Sequence, residues 1–338
     1  RLICLASHAH TTNQPPPTHS VISRLSVAAG APATTTLSPS TRRAAARMRL
    51  TGSEFWRSIG SPTRVCAPMV DQSELAFRLL TRELGCDLAY TPMLHARLFA
   101  EVPEYRRLHF DADPAAERDR PLFAQLAGHD PAVVLRSARL IEEHGGVDAI
   151  DLNFGCPQKI ARKGRYGAFL LEEPELVLTL VRTLARELSI PVTAKLRLLP
   201  EGAAATAELC ARLEEAGASA LTLHGRTRLQ NKHLSGRADW AAIKAAREAT
   251  SLPLVANGGI SCADDVLACR EETGASAVMS SEALLENPAL FCANVHPVTG
   301  EYLDQDALAR RYLDLCEDHP PSKGMAMVRA RRLFTARR

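Results

Sequence analysis

Short apolar runs alternate with longer amphipathic stretches along the chain from Thr63 onward. The runs are typical of buried parallel strands, and stretches such as 174–188 repeat apolar residues at helical spacing. The runs lie at 64–68, 87–90, 122–126, 147–152, 192–198, 220–223, 254–256 and 277–280. Eight strands alternating with helices predict an α/β fold of the (β/α)₈ type, the TIM barrel.

Polar residues inside these strands fall on one face. Gln125, Lys195 and His224 each alternate with apolar neighbours, and Asp151 and Asn153 share one side of their strand. Because barrel strands are covered on both faces, a polar side chain within one requires a partner or a function. Barrel enzymes place their chemistry at the carboxyl ends of the strands. We therefore expect these side chains to converge on a ligand at the mouth of the barrel.

The composition suits a large globular protein. The chain has 338 residues, of which 46% are hydrophobic, enough for one barrel and a small appendage. No apolar run reaches membrane-spanning length, so we expect no membrane partner. The nine cysteines contain no Cys-x-x-Cys pair. Their spacing argues against a metal site and against a disulfide scaffold, and it favours a reducing compartment.

Charge is distributed unevenly along the chain. Residues 1–50 hold six Arg, and 319–338 hold Lys323 and five Arg, while neither segment contains an acid. Each segment therefore carries +6, and the net charge of +3 leaves −9 for residues 51–318. An acidic body is not typical of a uniformly basic nucleic-acid binder, so any RNA contact must come from local patches.

Three segments are expected. Residues 1–52 are rich in Ser, Thr, Ala, Pro and Arg, which is typical of a disordered or transit-like leader, and Met48 is an alternative start. Residues 53–298 form the barrel, and 299–338 begin a small, truncated helical domain with helices at 304–318 and 325–334. We expect a cytoplasmic or nuclear monomer, or an organelle protein if the leader is a genuine transit peptide.

Cys156 follows the fourth predicted strand in the stretch Asn153-Phe-Gly-Cys-Pro-Gln158. A free cysteine is most often a small buried hydrophobe, and a nucleophilic cysteine needs an activating group. A general acid needs only the ordinary thiol pKa of about 8.5, which keeps the proton at neutral pH. We favour the general acid, and the nucleophilic and structural interpretations stay open.

Lys195 lies within the fifth predicted strand. It is a snorkelling lysine at a strand end, a Schiff-base lysine of a lyase, or a fixed cation beside a flavin ring. Gln125 and His224 favour the flavin, because amide and imidazole donors suit the polar edge of that ring. His224 alone would more often be a hydrogen-bonded core histidine.

Two turns follow the last two predicted strands. One is Asn257-Gly258-Gly259 and the other contains Ser281-Glu282. In many barrels these two turns bind a phosphate through backbone N–H groups, and glycine allows close approach. Gly-Gly alone is more often an ordinary turn, but both turns in the right places predict a phosphate site.

Basic residues follow Cys156 and the sixth strand. The cations expected to contact RNA are Lys159, Arg162, Arg165, Arg226 and Arg228. Each loop alone is usually a solvated surface. Their proximity to Cys156 predicts contact with a polyanion, with Tyr166 stacking on a base.

These motifs occur together in a known family. The stretches that carry the resemblance are Cys66-Ala-Pro-Met-Val-Asp-Gln-Ser-Glu74, Tyr90-Thr-Pro-Met-Leu94, Gln125, Asn153-Phe-Gly-Cys-Pro-Gln158, Tyr166-Gly-Ala-Phe-Leu170, Ala194-Lys195, His224-Gly-Arg-Thr227 and Asn257-Gly-Gly-Ile260. From 64 to 291 the chain resembles the tRNA-dihydrouridine synthases. The Tyr-Thr-Pro-Met-Leu and Tyr-Gly-Ala-Phe-Leu stretches resemble the eukaryotic branch that acts on positions 16 and 17 of the D-loop.

The resemblance implies a flavin mononucleotide (FMN) enzyme that uses NADPH to reduce the uracil C5–C6 double bond in tRNA. It implies hydride transfer to C6 and protonation of C5 by Cys156. The residues that it implies around the cofactor are Pro68, Met69, Val70, Gln125, Asn153, Lys195, His224, Asn257, Gly258, Gly259, Ser281 and Glu282. Gly259 stands where the family often has Asn or Asp. Ser281-Glu282 replaces the Gly-Arg pair common in bacterial members, so backbone contacts are expected at that pair.

Other interpretations compete with this one. A free-pyrimidine flavin oxidoreductase related to dihydroorotate dehydrogenase shares the barrel but has no use for a basic loop at 159–165. A Schiff-base lyase would use Lys195 without a flavin, and an RNA-binding relic would be expected to have lost Cys156 or Lys195. The sequence has no G-x-G-x-x-G after a strand, so NADPH is expected to visit the cofactor site transiently.

Overall fold

The computed structural model describes residues 50–231 and 234–321, and in them eight parallel strands close into a barrel. The strands are β1 Arg64–Cys66, β2 Leu88–Tyr90, β3 Leu122–Ala127, β4 Ala149–Phe154, β5 Val192–Leu198, β6 Ala220–Thr227, β7 Leu254–Asn257 and β8 Ala277–Ser280. Pairing of β1 with β8 and of β2 with β3 closes the ring, and a short strand, Leu94–His95, adds to the end of β3. The eight predicted strands and the TIM barrel are confirmed.

Helices follow the strands. They are α1 Gly52–Ser58, α2 Leu75–Glu83, α3 Ala96–Glu101, α4 Pro103–His109, α5 Pro131–His144, α6 Lys159–Lys163, α7 Pro174–Glu187, α8 Ala203–Glu215, α9 Trp240–Glu248, α10 Ala263–Thr273, α11 Glu282–Glu286 and α12 Gln305–Asp318. The helices predicted at 174–188 and 304–318 are confirmed as α7 and α12, and the one predicted at 325–334 lies outside the described residues. Within those residues, none of the helices has the length and apolar character that crossing a bilayer requires.

Two apolar layers fill the fold, because side chains along a strand alternate between its faces. On the outside of β3, Leu122, Ala124 and Leu126 join the large core between strands and helices. On the inside, Phe123 of the same strand is fully buried in a separate apolar cluster. The outer face of this strand is apolar as expected, and the barrel interior has a packed apolar floor below its polar residues.

Helix α1 closes the amino-terminal end of the barrel. A Cβ on Gly52 would lie 2.7 Å from the carbonyl oxygen of Ser219, which directly precedes β6. The ring of Phe55 stacks on Phe123 with centroids 5.8 Å apart. Thr51 caps the helix and Gly52 begins it, so the last two residues assigned to the leader belong to this folded part.

Strand β6 extends beyond its apolar run. The sequence predicts a strand at 220–223, and the backbone continues in strand conformation to Thr227. Pairing with β5 is regular up to Arg197 opposite His224 and then shifts, so that Leu198 lies opposite Thr227. Such an irregularity re-aims side chains at the end of a strand. The His-Gly-Arg-Thr stretch is therefore part of the barrel wall at the mouth.

Helix α12 docks on the outside of α2. The hydroxyl of Tyr312, which is fully buried, donates to Glu74 at 2.7 Å. Arg311 forms a two-bond ion pair with Glu83, at 2.8 and 2.6 Å. The apolar side of α12 also joins the large core. The start of the segment at 299–338 therefore packs on the barrel.

Replacing Phe55 with Ala tests the role of α1. We predict a loss of about 3–5 kcal/mol in the free energy of unfolding, because the change leaves a cavity beneath the barrel interior. Urea denaturation followed by circular dichroism measures it. Arg57→Ala, on the exposed side of the same helix, is the control and should change the value by less than about 0.5 kcal/mol. Equal effects of the two substitutions would show that α1 does not fill the barrel.

Candidate active site

The strand register brings the predicted polar residues together at the carboxyl-terminal mouth of the barrel. The aligned pairs are Gln125 with Asp151, Asn153 with Lys195, and His224 with Asn257. These six residues come from five adjacent strands, β3 to β7. They form a continuous polar arc on the inner wall, as the parity of the strands predicts.

Asp151 is a buried carboxylate in this arc, with no exposed surface. It accepts hydrogen bonds from Gln125 Nε2 and from Thr193 Oγ1, each at 2.7 Å. Burial raises the pKa of Asp151 to about 6, although both hydrogen bonds and the charge of Lys195 act in the opposite direction. Asp151 is therefore mostly ionised at neutral pH and acts as a hydrogen-bond acceptor.

Asn153 connects this carboxylate to the loop that carries Cys156. Its Nδ2 donates to Gln125 Oε1 at 2.8 Å. Its Oδ1 accepts from the backbone N–H groups of Gly155 and Cys156, both at 3.0 Å. Gln125 is only 1% exposed and uses its amide on these protein partners. Gln125 therefore holds Asn153 in position through a hydrogen bond.

The loop after β4 is held from further sides. Arg197 Nε donates to the carbonyl oxygen of Gly155 at 2.8 Å. The backbone N–H of Ala168 donates to the carbonyl oxygen of Cys156 at 3.0 Å. Gly167 has φ +71°, and a Cβ there would lie 2.6 Å from the Cys156 carbonyl oxygen. Only glycine fits at this position, because both the backbone conformation and the space exclude a side chain.

Cys156 retains its proton at neutral pH. Burial raises the pKa of the Cys156 thiol, while a hydrogen bond from the Gln158 backbone and the charges of Arg197 and Lys195 lower it in part. The side chain is half-buried at the end of β4. A protonated thiol at a barrel mouth can give a proton to a ligand, and it is a poor nucleophile.

Lys195 is a cation fixed to the wall of the site. Its Nζ donates to Asn257 Oδ1 at 2.9 Å, and Asn257 Nδ2 donates to the carbonyl oxygen of Met279 at 3.0 Å. Burial and the charge of Arg197 lower the pKa of Lys195 to about 8, with Asp151 acting in the opposite direction. The ammonium group is therefore mostly charged at pH 7.

His224 is held as one tautomer by Arg226. Nη1 of Arg226 lies 3.2 Å from Nε2 of His224. Because a guanidinium only donates, Nε2 is the acceptor and the ring proton is on Nδ1. Burial and then the charges of Lys195, Arg197 and Arg226 hold the pKa of His224 well below its usual range, so the ring is neutral. Arg226 also donates twice to the carbonyl oxygen of Gly236, at 3.1 and 2.8 Å, so it is bound by protein partners.

The turn after β7 requires its glycines. Gly258 has φ +102° and Gly259 has φ +79°. A Cβ on Gly258 would lie 2.8 Å from Cδ2 of His224. Trp240 Nε1 donates to the carbonyl oxygen of Gly258 at 3.0 Å. The backbone of this turn therefore passes directly beside the His224 ring, where a larger residue would not fit.

The remaining predicted cofactor residues border the same mouth from β1 and β8. Pro68 and Met69 are half-buried after β1, and Val70 is 53% exposed. Ser281 is half-buried directly after β8, and Glu282 is exposed at the start of α11. Across residues 50–231 and 234–321, no group of three or more His, Cys, Asp or Glu side chains is placed to hold a metal ion.

The two basic loops meet at the rim. Arg228 pairs with Glu172 at 2.5 Å, and its guanidinium carbon lies 4.4 Å from the centroid of the Phe169 ring. Arg165 pairs with Glu173 at 3.2 Å. The exposed cations on the adjoining helix α6 include Lys159 and Arg162. The structure therefore joins the loops as expected, with part of their charge neutralised by neighbouring acids.

Tyr166 does not face solvent. It is 4% exposed, and its ring packs edge to face against His95 with centroids 5.6 Å apart. The interpretation that Tyr166 stacks on an RNA base is wrong for this structure, because its ring is enclosed by protein.

Sequence reasoning missed several supports of the site. Thr193 is a polar residue within an apolar strand, and that signal was available because buried polar groups need partners. The contacts of Trp240 and Gly167 join segments that are distant in sequence, so no local pattern indicates them.

Comparison with known proteins identifies relatives of this chain. The dihydrouridine synthase (Dus) family matches residues 65–338. The chain is 46% identical over 273 residues to a tRNA-dihydrouridine(16/17) synthase-like protein of Rattus norvegicus, covering 80% of this chain and 60% of that protein. It is 43% identical over 282 residues to the tRNA-dihydrouridine(16/17) synthase of Saccharomyces cerevisiae, covering 81% and 65%. The chain thus spans less than two thirds of either relative.

Solved structures share the fold at much lower identity. Histamine dehydrogenase from Rhizobium sp. 4-9 matches with a TM-score of 0.52 and 12% identity, covering 77% of this chain and 51% of that chain. TcOYE with pHBA matches with a TM-score of 0.50 and 10% identity, covering 76% and 95%. At these identities the likeness extends to the barrel fold alone.

Replacing Gly167 with Ala tests the contact that seats Cys156. We predict a loss of about 2–4 kcal/mol in the free energy of unfolding, from left-handed backbone strain plus overpacking against the Cys156 carbonyl. Gly300→Ala is the matched control, because its φ is also +71° and nothing lies within 4 Å of its Cβ. That variant should lose only about 1–2 kcal/mol in chemical denaturation. The contact is contradicted if the two losses are equal.

The alkylation rate of Cys156 tests its protonation. We predict slow reaction with iodoacetamide at pH 7 and a rise with pH whose midpoint exceeds the ordinary thiol value of about 8.5, because burial raises the pKa of Cys156. Peptide mass spectrometry across a pH series measures the rate. Alkylation of the exposed Cys262, measured in the same digest, is the control that the reagent is active. A midpoint below pH 7 would rule out a thiol that stores a proton.

Proposed function

The chain belongs to the dihydrouridine synthase family, and on this basis we propose that it reduces the C5–C6 double bond of uridine in tRNA to 5,6-dihydrouridine. Relatives named for positions 16 and 17 support those uridines of the D-loop as its targets. The aligned region covers 60% of the rat relative and 65% of the yeast relative, so the activity of the whole protein is part of this proposal.

Flavin mononucleotide is the proposed resident cofactor, and the donors at the mouth fit it. A flavin needs a turn that admits its phosphate, a cation near the polar edge of its ring, and hydrogen-bond donors. Gly258 and Gly259 carry no side chain, which allows a phosphate to approach the backbone of this turn. Lys195 is charged at neutral pH, and the His224 proton is on Nδ1. These three features supply the three requirements.

The proposed cofactor contacts fall into groups around the mouth. They are Pro68, Met69 and Val70 against the ring system; Asn153, Lys195 and His224 at its polar edge; and Asn257, Gly258, Gly259, Ser281 and Glu282 at the phosphate. Gln125 is buried, so we propose that it acts through its hydrogen bond to Asn153. Arg226 is proposed to act through the His224 tautomer.

Cys156 is proposed as the general acid of the reaction. A bound flavin would supply the hydride that C6 of the uracil receives. The Cys156 thiol holds a proton on Sγ and transfers it to C5, and the thiolate regains a proton from solvent. The charges of Lys195 and Arg197 near Cys156 stabilise the thiolate that this step leaves behind. NADPH is the proposed reductant, and each turnover consumes one NADPH and one proton.

The cations at the rim support a tRNA substrate. A uridine within folded RNA must leave its stack before an enzyme can act on the base, and phosphate contacts hold the strand meanwhile. Lys159 and Arg162 are exposed on α6, directly after Cys156, and Arg165 and Arg228 extend the basic rim. We propose that these four side chains bind phosphates of the D-loop.

The site favours this function over the alternatives. A free-pyrimidine oxidoreductase has no use for the exposed cations on α6. The lowered pKa of Lys195, about 8, would also suit a Schiff-base lyase, but such an enzyme has no use for the exposed cations on α6. We also propose a cytoplasmic or nuclear monomer, in which residues 1–50 are a leader and 299–338 begin a helical tRNA-binding domain.

The protonated thiol of Cys156, next to Lys195 and Arg197 in a chain of this family, carries the proposal. We predict that the purified protein is yellow and forms dihydrouridine when given unmodified tRNA and NADPH. Cys156→Ala should keep the colour and NADPH oxidation while forming product roughly 100-fold to 10,000-fold more slowly, the usual contribution of a general acid. Nucleoside mass spectrometry measures the product.

Cys292→Ala is the control for this experiment. Cys292 is also a half-buried free cysteine, but it lies after α11 and away from the barrel mouth, so its removal should leave product formation unchanged. A colourless protein would contradict the proposed flavin cofactor. Undiminished product from the Cys156 variant would show that the thiol is not the general acid.

A further inference from the structure

Polar groups of β3 and β4 form a hydrogen-bonded line whose direction is fixed at both ends. At the upper end, the backbone N–H groups of Gly155 and Cys156 can only donate, so the Asn153 atom that they contact at 3.0 Å is its oxygen. At the lower end, the ionised carboxylate of Asp151 can only accept. Neither end tolerates reversal of its neighbour.

The two amides between these ends have a single compatible arrangement. Because the Asn153 oxygen faces the loop, its NH₂ group faces Gln125 Oε1, at 2.8 Å. That leaves the Gln125 NH₂ group to face Asp151, at 2.7 Å. Turning either amide over would set donor against donor and acceptor against acceptor in a buried place, which is costly.

The orientation of the two amides explains why a carboxylate is buried at position 151. Asp151 has no exposed surface, and moving a charged group away from water is expensive unless it is paired and hydrogen-bonded. Thr193 satisfies one oxygen at 2.7 Å, and Lys195 on the neighbouring strand offsets the charge. An amide at 151 would offer both a donor and an acceptor, so it would accept Gln125 in either orientation. Only the carboxylate dictates one direction.

We propose that Asp151 is a positioning residue for Cys156: its carboxylate sets the direction of the Gln125 and Asn153 amides and thereby seats the loop that carries the thiol. Asp151 lies below the mouth and acts only through other residues. The catalytic meaning of this seat rests on the proposed function, in which Cys156 is the general acid. The seating itself is a property of the folded chain and is measurable without substrate.

The test is the rate at which iodoacetamide modifies Cys156 in the full chain, measured above the pKa of the thiol so that protonation does not limit it. Asp151→Leu removes the acceptor, and Gln125→Met breaks the line while keeping the carboxylate charge. Both variants should free the loop and raise the Cys156 rate roughly fivefold to tenfold, as expected for one or two lost hydrogen bonds. Thr193→Val is the matched control, because it removes the other hydrogen bond of Asp151, and its rate should stay within about twofold of the parent.

Internal controls separate seating from general loss of stability. Cys210 and Cys269 are fully buried in α8 and α10 and become reactive only if the barrel opens. The proposal holds if Cys156 accelerates in both test variants while these two cysteines stay unmodified. It is overturned if Cys156 does not accelerate, if it accelerates only with Asp151→Leu, or if all three cysteines accelerate together. No tRNA or NADPH is added, and the rates are compared at equal flavin content, so the result is independent of whether the proposed reduction occurs.

Discussion

A polar side chain on the inner wall of the barrel is buried, and a buried polar group is stable only with a hydrogen-bonding partner. This constraint governs the whole mouth. Asp151 accepts hydrogen bonds from Gln125 and Thr193, and Lys195 donates to Asn257, so the partners of both charged groups are protein side chains. The protein thus fixes the orientation of these groups by itself, and a site whose groups are already oriented loses less entropy when it binds.

The same constraint changes how the basic residues are interpreted. In the sequence, Arg226 and Arg228 look equivalent, as two cations on one loop. In the structure, Arg226 is bound to His224 and a carbonyl, whereas Arg228 lies over an aromatic ring and pairs with an acid at the rim. A cation count in a loop therefore overstates the charge that is left for a polyanion.

Much of the fold was predictable, because buried parallel strands are short apolar runs separated by amphipathic helices. The predicted strands at 192–198 and 277–280 match β5 and β8 residue for residue. The end of β6 was not predictable from hydrophobicity, since His224 to Thr227 continue the backbone pairing after the apolar run has ended. The parity of polar residues placed the members of the site on one wall. Their partners came from distant segments, as with Trp240 and Gly258, and a pattern along the chain does not encode such contacts.

Arg197 has a mechanical consequence. Its guanidinium donates to Gly155 on one side and to the carbonyl oxygens of Thr227 and Gln230 on the other, at 2.8, 2.9 and 3.2 Å. Charged hydrogen bonds of this kind are among the stronger ones in proteins. These bonds fasten the loop after β4 to the loop after β6, so the two loops resist separate displacement, whereas the loop after β1 exposes Val70 to solvent.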